Sequence, residues 1–197
     1  MLHATRGSLH RSVHTQASRT DSPGAERLLP TAKGTRTQSG VTWQQRIDNY
    51  NKQTGFPARY LRRIKALFPD KQCVLHLFSG RVDLATMPGD TVDITPALNP
   101  TYVDDAQRLE KVPLANYDLV MADPPYSVDD AEHYGTTMVK RNTVMKALSA
   151  VASGTHIVWL DQVLPMFRKN TFAIEAVIGM VKSTNHRFRV ITVFRRI

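Results

Sequence analysis

The chain has 197 residues, of which 42% are hydrophobic and 22% charged, and it carries a net charge of +9. This size and composition are typical of one globular domain, and no apolar run reaches the roughly eighteen residues of a membrane span, which excludes a transmembrane helix. The single Cys73 excludes a disulfide framework and a cysteine zinc cluster, and its place before an apolar run predicts a core position.

Residues 1–40 are rich in Ser, Thr, Arg, Gly and His and show no apolar periodicity. They predict a disordered extension, or one that orders on a partner, ahead of a folded domain at 41–197. Six basic and two acidic side chains give this extension +4, which leaves +5 on the domain. Positive charge favours a polyanionic partner such as nucleic acid. No hydrophobic secretory segment is present, and the acid-free start leaves a mitochondrial transit peptide as an alternative to the cytoplasm.

Two amphipathic helices are predicted next. Apolar residues spaced three and four apart predict a short helix over 43–50, and Pro57 after the turn at 54–57 is well placed to open a second helix over 58–68. The apolar run from Cys73 to Phe78 then predicts a buried strand that ends in the small-residue turn Ser79-Gly80.

Shorter strands follow at 90–94 and 101–103, with Asp93 and Asp105 at or just after their ends. Proline and glycine in the connections leave no room for long helices, so the sheet is predicted to have reduced crossovers in this half. An acid at the end of the second strand is placed where Rossmann-like folds bind ribose hydroxyls.

The run Leu119 to Ala122 predicts a strand buried on both faces, and it stops at Asp123-Pro124-Pro125-Tyr126. Ligands bind beyond the carboxyl ends of the strands of an open α/β sheet, so this segment predicts a site. The remaining sequence predicts a helix start at Ser127, a helix over 138–152, a strand from His156, a short helix over 163–169 and a terminal pair of strands.

Asp-Pro-Pro-Tyr after an apolar strand resembles motif IV of the S-adenosylmethionine-dependent amino-methyltransferases, which methylate the exocyclic nitrogen of adenine or cytosine. The resemblance implies that Asp123 and the Pro124 carbonyl orient the amine, that Pro125 stiffens the turn and that Tyr126 stacks on the base. It also implies a Rossmann-like class I methyltransferase sheet, mostly parallel, with a C-terminal antiparallel hairpin.

The proline-headed helix and the strand after it are similar to motifs X and I of that family, and Asp105-Ala106 is similar to motif III. The family has Asp-x-Phe-x-Gly-x-Gly at motif I; here Phe78 and Gly80 match, while His76 replaces the acid and Val82 the second glycine. The resemblance implies S-adenosylmethionine as cofactor, bound by Gly55, Phe56, His76, Phe78, Ser79, Gly80, Asp93, Asp105, Ala106 and Asp123.

These observations predict methyl transfer to an exocyclic amine of a nucleobase, with adenine in DNA preferred. Lys140 and Arg141 are candidate phosphate contacts, and no metal is expected, because the histidines have no ligand spacing. Sequence-specific members of the family carry a target-recognition domain, for which this sequence has no room, so recognition is expected to be short or to be supplied by a partner, the extension or the loop 129–141. An RNA base, or a cofactor-free scaffold on nucleic acid, are the alternatives.

Overall fold

The computed structural model describes residues 40–52, 60–133, 135–181 and 188–197. These residues include seven strands and four α-helices. The strands are β1 Val74–Leu77, β2 Asp90–Asp93, β3 Tyr102–Val103, β4 Leu119–Ala122, β5 His156–Asp161, β6 Phe172–Val181 and β7 Phe188–Arg196; the helices are α1 Trp43–Asn51, α2 Tyr60–Leu67, α3 Val128–His133 and α4 Arg141–Ala147.

The strands form a single sheet in the order β3-β2-β1-β4-β5-β7-β6. The first five strands are parallel, and β7 lies antiparallel between β5 and β6. This arrangement confirms the predicted Rossmann-like sheet with a C-terminal antiparallel hairpin. The strand order reverses at β1, with β2 and β3 on one side and β4 and β5 on the other, so the carboxyl ends of β1 and β4 border the crevice in which such folds bind ligands.

The central strands are apolar because both faces of the sheet are covered. All residues of β1, β4 and β5 are buried, as expected for parallel strands between two layers. Apolar residues of α1 and α2 pack on one face around Val74 and Met121, and α4 packs on the other around Leu75 and Val120. The molecule is therefore a three-layer α/β/α sandwich within its described residues.

The first two crossovers are as short as predicted. No α-helix lies between β1 and β2 or between β2 and β3; the second connection contains only the 3₁₀ helix Pro96–Leu98. Gly89, just before β2, has a structural role beyond breaking a helix: a Cβ at this position would lie 2.5 Å from the carbonyl oxygen of Val74. Only glycine allows the two strands to approach this closely.

Three local predictions are wrong. Cys73 is exposed and precedes β1 rather than lying in the core. The helix predicted over 138–152 begins later, with α4 at Arg141, and it ends in the 3₁₀ helix Leu148–Ala150. Residues 163–169 form no helix, and Val163, Leu164 and Met166 are exposed. The start of the second predicted helix, with Pro57, lies outside the described residues.

Candidate active site

The register of β1 and β4 places the two predicted motifs at one edge. Leu77, the last residue of β1, pairs with Ala122, the last residue of β4. The segments Phe78–Gly80 and Asp123–Tyr126 follow directly, and since the strands are parallel, both segments leave the sheet at the same end. The structure thus brings the residues that resemble motifs I and IV to neighbouring positions.

Hydrogen bonds join the ends of the first three strands. The Gly80 amide donates to Asp93 Oδ2 at 2.9 Å, and the Thr95 amide donates to Asp93 Oδ1 at 2.9 Å. The Ser79 amide donates to the Val92 carbonyl, and the Asp104 amide donates to the Asp93 carbonyl. Asp93 therefore holds the loop after β1, a supporting role that the sequence reasoning did not assign to it.

The loop after β1 has an unusual backbone conformation. Phe78 and Gly80 have φ angles of 55° and 49°, in the left-handed region. This conformation is uncommon for a bulky residue such as phenylalanine, and such strain concentrates at ligand-binding sites. The Phe78 ring packs against the core, while a Cβ at Gly80 would meet no atom within 4 Å. The backbone at Gly80 therefore faces open space.

Three other predicted cofactor residues, His76, Asp105 and Ala106, have different placements. The His76 imidazole is buried on the face covered by α2, with Nε2 3.0 Å from the Met87 carbonyl, and burial lowers its pKa. His76 is thus committed to the interior rather than to the open edge, which corrects its predicted place in the site. Asp105 Oδ1 accepts from the Gln107 amide at 2.9 Å, and Ala106 is buried in the core. Gly55 and Phe56 lie outside the described residues.

Asp123 is the chemical centre of the edge. Both prolines after it are buried, which fixes the path of the chain, while Asp123 itself remains accessible to solvent. Partial desolvation in this crevice raises the Asp123 pKa to about 6, and the nearby Asp161 charge adds to the rise; the Tyr126 hydrogen bond and the charge of Arg189 oppose it. The carboxylate is therefore ionised at neutral pH and retains an unusually high proton affinity.

Tyr126 lies between two charged groups. Its hydroxyl donates to Asp123 Oδ1 and accepts from Arg189 Nη1 at 2.9 Å. The Arg189 guanidinium carbon lies 4.0 Å from the centre of the Tyr126 ring. Burial and the negative charge of Asp123 raise the Tyr126 pKa, so the phenol remains protonated as the donor to Asp123.

An ion pair supports this turn from behind. Arg141 Nε and Nη2 donate to the two carboxylate oxygens of Asp161, at 2.5 and 3.1 Å, and Nη2 lies 3.5 Å from the Tyr126 carbonyl. Asp161 is fully buried at the end of β5 and also accepts from the indole of Trp159. The structure thus gives Arg141 a partner within the fold, while the predicted phosphate contact of exposed Lys140 stays a prediction.

Three residues at this site were not predicted: Tyr60, Asp161 and Arg189. The Tyr60 hydroxyl is buried and lacks a hydrogen-bond partner among the described residues, and burial and the Asp123 charge raise its pKa. Tyr60 lies in the helix predicted over 58–68, and nothing in the sequence linked it to Asp123. Arg189 is 63 positions from Tyr126, so no local pattern could have joined them.

A cavity of about 420 Å³ lies beside the site and is lined by Ser127, Asp129, Gln162 and Phe188. No group of three or more metal-ligating side chains occurs in the described ranges. No helix among the described residues has both the length and the apolar character needed to cross a bilayer.

Comparisons with known proteins give matches in shape alone. No protein-family model matches the chain, and no curated protein matches its sequence. The N-methyltransferase NodS from Bradyrhizobium japonicum WM9, in complex with S-adenosyl-L-homocysteine, matches with a TM-score of 0.48 and 10% identity over 78% of this chain and 97% of that chain. CalS10, an amino pentose methyltransferase from Micromonospora echinaspora, matches with a TM-score of 0.35 and 13% identity over 81% and 79%.

Proposed function

We propose that this protein transfers a methyl group from S-adenosylmethionine to the exocyclic amino group of a nucleobase, with adenine in DNA as the preferred target. The observation that carries this proposal is the juxtaposition of Gly80 and Asp123 at the ends of two adjacent parallel strands. A methyl donor held at one segment and an amine held at the other would be neighbours across the crevice.

The residues after β1 to β3 fit a nucleoside cofactor. The backbone at Gly80 faces open space, as close approach of a ligand requires, and the left-handed Phe78 sets the path of the loop. Asp93 and Asp105 follow β2 and β3 and offer carboxylates to ribose hydroxyls and an adenine amino group. S-adenosylmethionine, when bound, supplies an electrophilic methyl group on a sulfonium.

Asp123 and its neighbours supply the other half of the reaction. An exocyclic amine is a weak nucleophile because its lone pair is delocalised into the ring. Hydrogen bonds from its two N–H groups to Asp123 and to the Pro124 carbonyl would favour the pyramidal form and direct the lone pair at the methyl carbon. The nitrogen–carbon bond forms as the carbon–sulfur bond breaks, and Asp123, with its raised pKa, can take up the proton that the amine loses.

Calorimetric titration and radiolabelled methyl transfer test the proposal together. The wild-type protein is expected to bind S-adenosylmethionine and to label DNA. Asp123→Ala is expected to bind the cofactor with similar affinity and to lose transfer by at least about 100-fold, since it removes a hydrogen bond made to the developing cation. Asp48→Ala, which removes an exposed acid on α1, is the control and should leave both properties unchanged.

Separate DNA, RNA and protein pools distinguish the alternatives. Labelling of RNA and not DNA would assign the same chemistry to an RNA base. If S-adenosylmethionine gives no heat and no pool is labelled, the protein is a basic scaffold on nucleic acid rather than an enzyme. Transfer by Asp123→Ala at the wild-type rate would remove the basis of the mechanism.

A further inference from the structure

The Tyr126 ring is covered on one face by a cation. The Arg189 guanidinium carbon lies 4.0 Å from the ring centre, which is van der Waals contact, and Nη1 also donates to the Tyr126 hydroxyl at 2.9 Å. A base that stacks on this face must take the place of the guanidinium.

The same side chains also occupy the amine-binding group. The Tyr126 hydroxyl donates to Asp123 Oδ1, one of the two oxygens available to the incoming amine. Arg189, Tyr126 and Asp123 therefore form one connected chain of donors and acceptors across the site. Moving Arg189 removes the contact that holds the Tyr126 ring from above and leaves its hydroxyl free to turn away from Asp123.

Three interactions hold the guanidinium: the hydrogen bond from Nη1 to the Tyr126 hydroxyl, the ring contact and the negative charge of Asp123. The Nε–H of Arg189 is buried and has no hydrogen-bond acceptor among the described residues, and a cation–π contact at a half-exposed site changes an equilibrium constant by only roughly fivefold. A phosphodiester offers two oxygens to the fork of an arginine, in a charge-assisted pair. A free nucleoside has no anionic group with which to compete for Arg189.

Resting on the proposed function, we propose that Arg189 is a specificity-determining residue that separates a base in a polynucleotide from a free nucleoside. A phosphate next to the target nucleotide draws the guanidinium off the Tyr126 ring and so opens the stacking face to its own base. A nucleoside must displace Arg189 without this compensation.

Methyl transfer to two substrates tests this inference. A single-stranded DNA decamer with one adenine and free deoxyadenosine are compared by kcat/KM in the wild type, Arg189→Ala, Arg189→Lys and the control Arg168→Ala, which removes an exposed arginine before β6. Arg189→Ala is expected to lose about tenfold on the decamer, from the lost charged contact, and to gain about two- to fivefold on the nucleoside, from the uncovered ring. Arg189→Lys, which keeps the charge, should retain part of the preference for the decamer, and the control should retain all of it.

Equal losses on both substrates in Arg189→Ala would reduce Arg189 to a structural role and overturn the inference. A second measurement is independent of catalysis: the ¹⁵N resonance of Arg189 Nε should shift on addition of the decamer, or of its RNA counterpart, and stay unchanged with deoxyadenosine. If no methyl transfer occurs, the proposed function fails and the resonance alone decides the inference. The same response to nucleoside and decamer would overturn it.

Discussion

The position of Asp123 at the sheet edge makes its ionised form less favourable than in water. Its pKa of about 6 lies above the value of 3.8 for an unperturbed aspartate, chiefly because the crevice desolvates the carboxylate. The folded protein therefore binds this proton more tightly than the unfolded chain does. The contribution of this carboxyl to the free energy of unfolding is most favourable below about pH 4. It decreases as the pH rises towards 6, where the carboxyl of the folded protein ionises. At neutral pH the negative charge of Asp123 therefore destabilises the fold.

Asp123→Asn is therefore expected to stabilise the protein at pH 7 to 8, because it removes a partly desolvated charge and keeps the shape of the side chain. The gain should develop between about pH 4 and 6 and disappear below pH 4, where the wild-type residue is protonated as well. Thermal unfolding at a series of pH values measures it, with Asp48→Asn on the exposed side of α1 as the control. A gain that is the same at pH 3.5 and pH 7.5 would contradict the assigned cause.

At the scale of elements, the strands could be predicted because their signals are local. Four consecutive apolar residues indicated β4 and β5, an apolar run interrupted only by His76 indicated β1, and the proline turn located the end of β4. The prediction of a helix over 163–169 was wrong because helix formation there would depend on tertiary packing. Val163, Leu164 and Met166 provide an apolar pattern but are exposed, so no packing stabilises a helix. The contact of Arg189 with Tyr126 depends on how β7 pairs within the sheet, so no local sequence pattern could predict it.

The ion pair between Arg141 and Asp161 connects three elements. It ties the first residue of α4 to the last residue of β5, and Arg141 Nη2 reaches the carbonyl of Tyr126 in the motif turn. Because Asp161 is fully buried, Arg141 is the counterion that compensates for its removal from water. The pair thus links the stability of the sheet edge to the position of Tyr126.

Arg141→Met is expected to destabilise the protein by about 3 kcal/mol, since it leaves a buried carboxylate without its counterion. Chemical denaturation measures the free energy of unfolding. Lys140→Met is the matched control, because Lys140 is the exposed neighbour of Arg141 and its loss should change stability by less than about 0.5 kcal/mol. Similar effects of the two substitutions would show that the ion pair has no special role.

At the scale of the molecule, the candidate site and a second charged region lie at opposite ends of the parallel strands. The carboxyl ends of the parallel strands carry Asp123 and the loop after β1, whereas a cavity of about 680 Å³ lies beside the amino ends of β1 and β2. Arg62, Lys65 and Lys71 line this cavity, which we call the basic groove. Lys65 Nζ donates to the Thr86 carbonyl at 3.2 Å.

The basic groove gives a prediction about salt. If it holds the phosphate backbone, each contact releases counterions, and the logarithm of the association constant falls with the logarithm of salt concentration. Replacing Arg62 and Lys71 by glutamine is expected to weaken binding of single-stranded DNA at low salt and to make this slope shallower by roughly 1 to 2. Fluorescence anisotropy at several salt concentrations measures the slope. The double variant Arg168→Gln/Lys169→Gln removes the same charge from an exposed turn away from the groove. Equal slopes in the two double variants would assign the binding to net charge rather than to the groove.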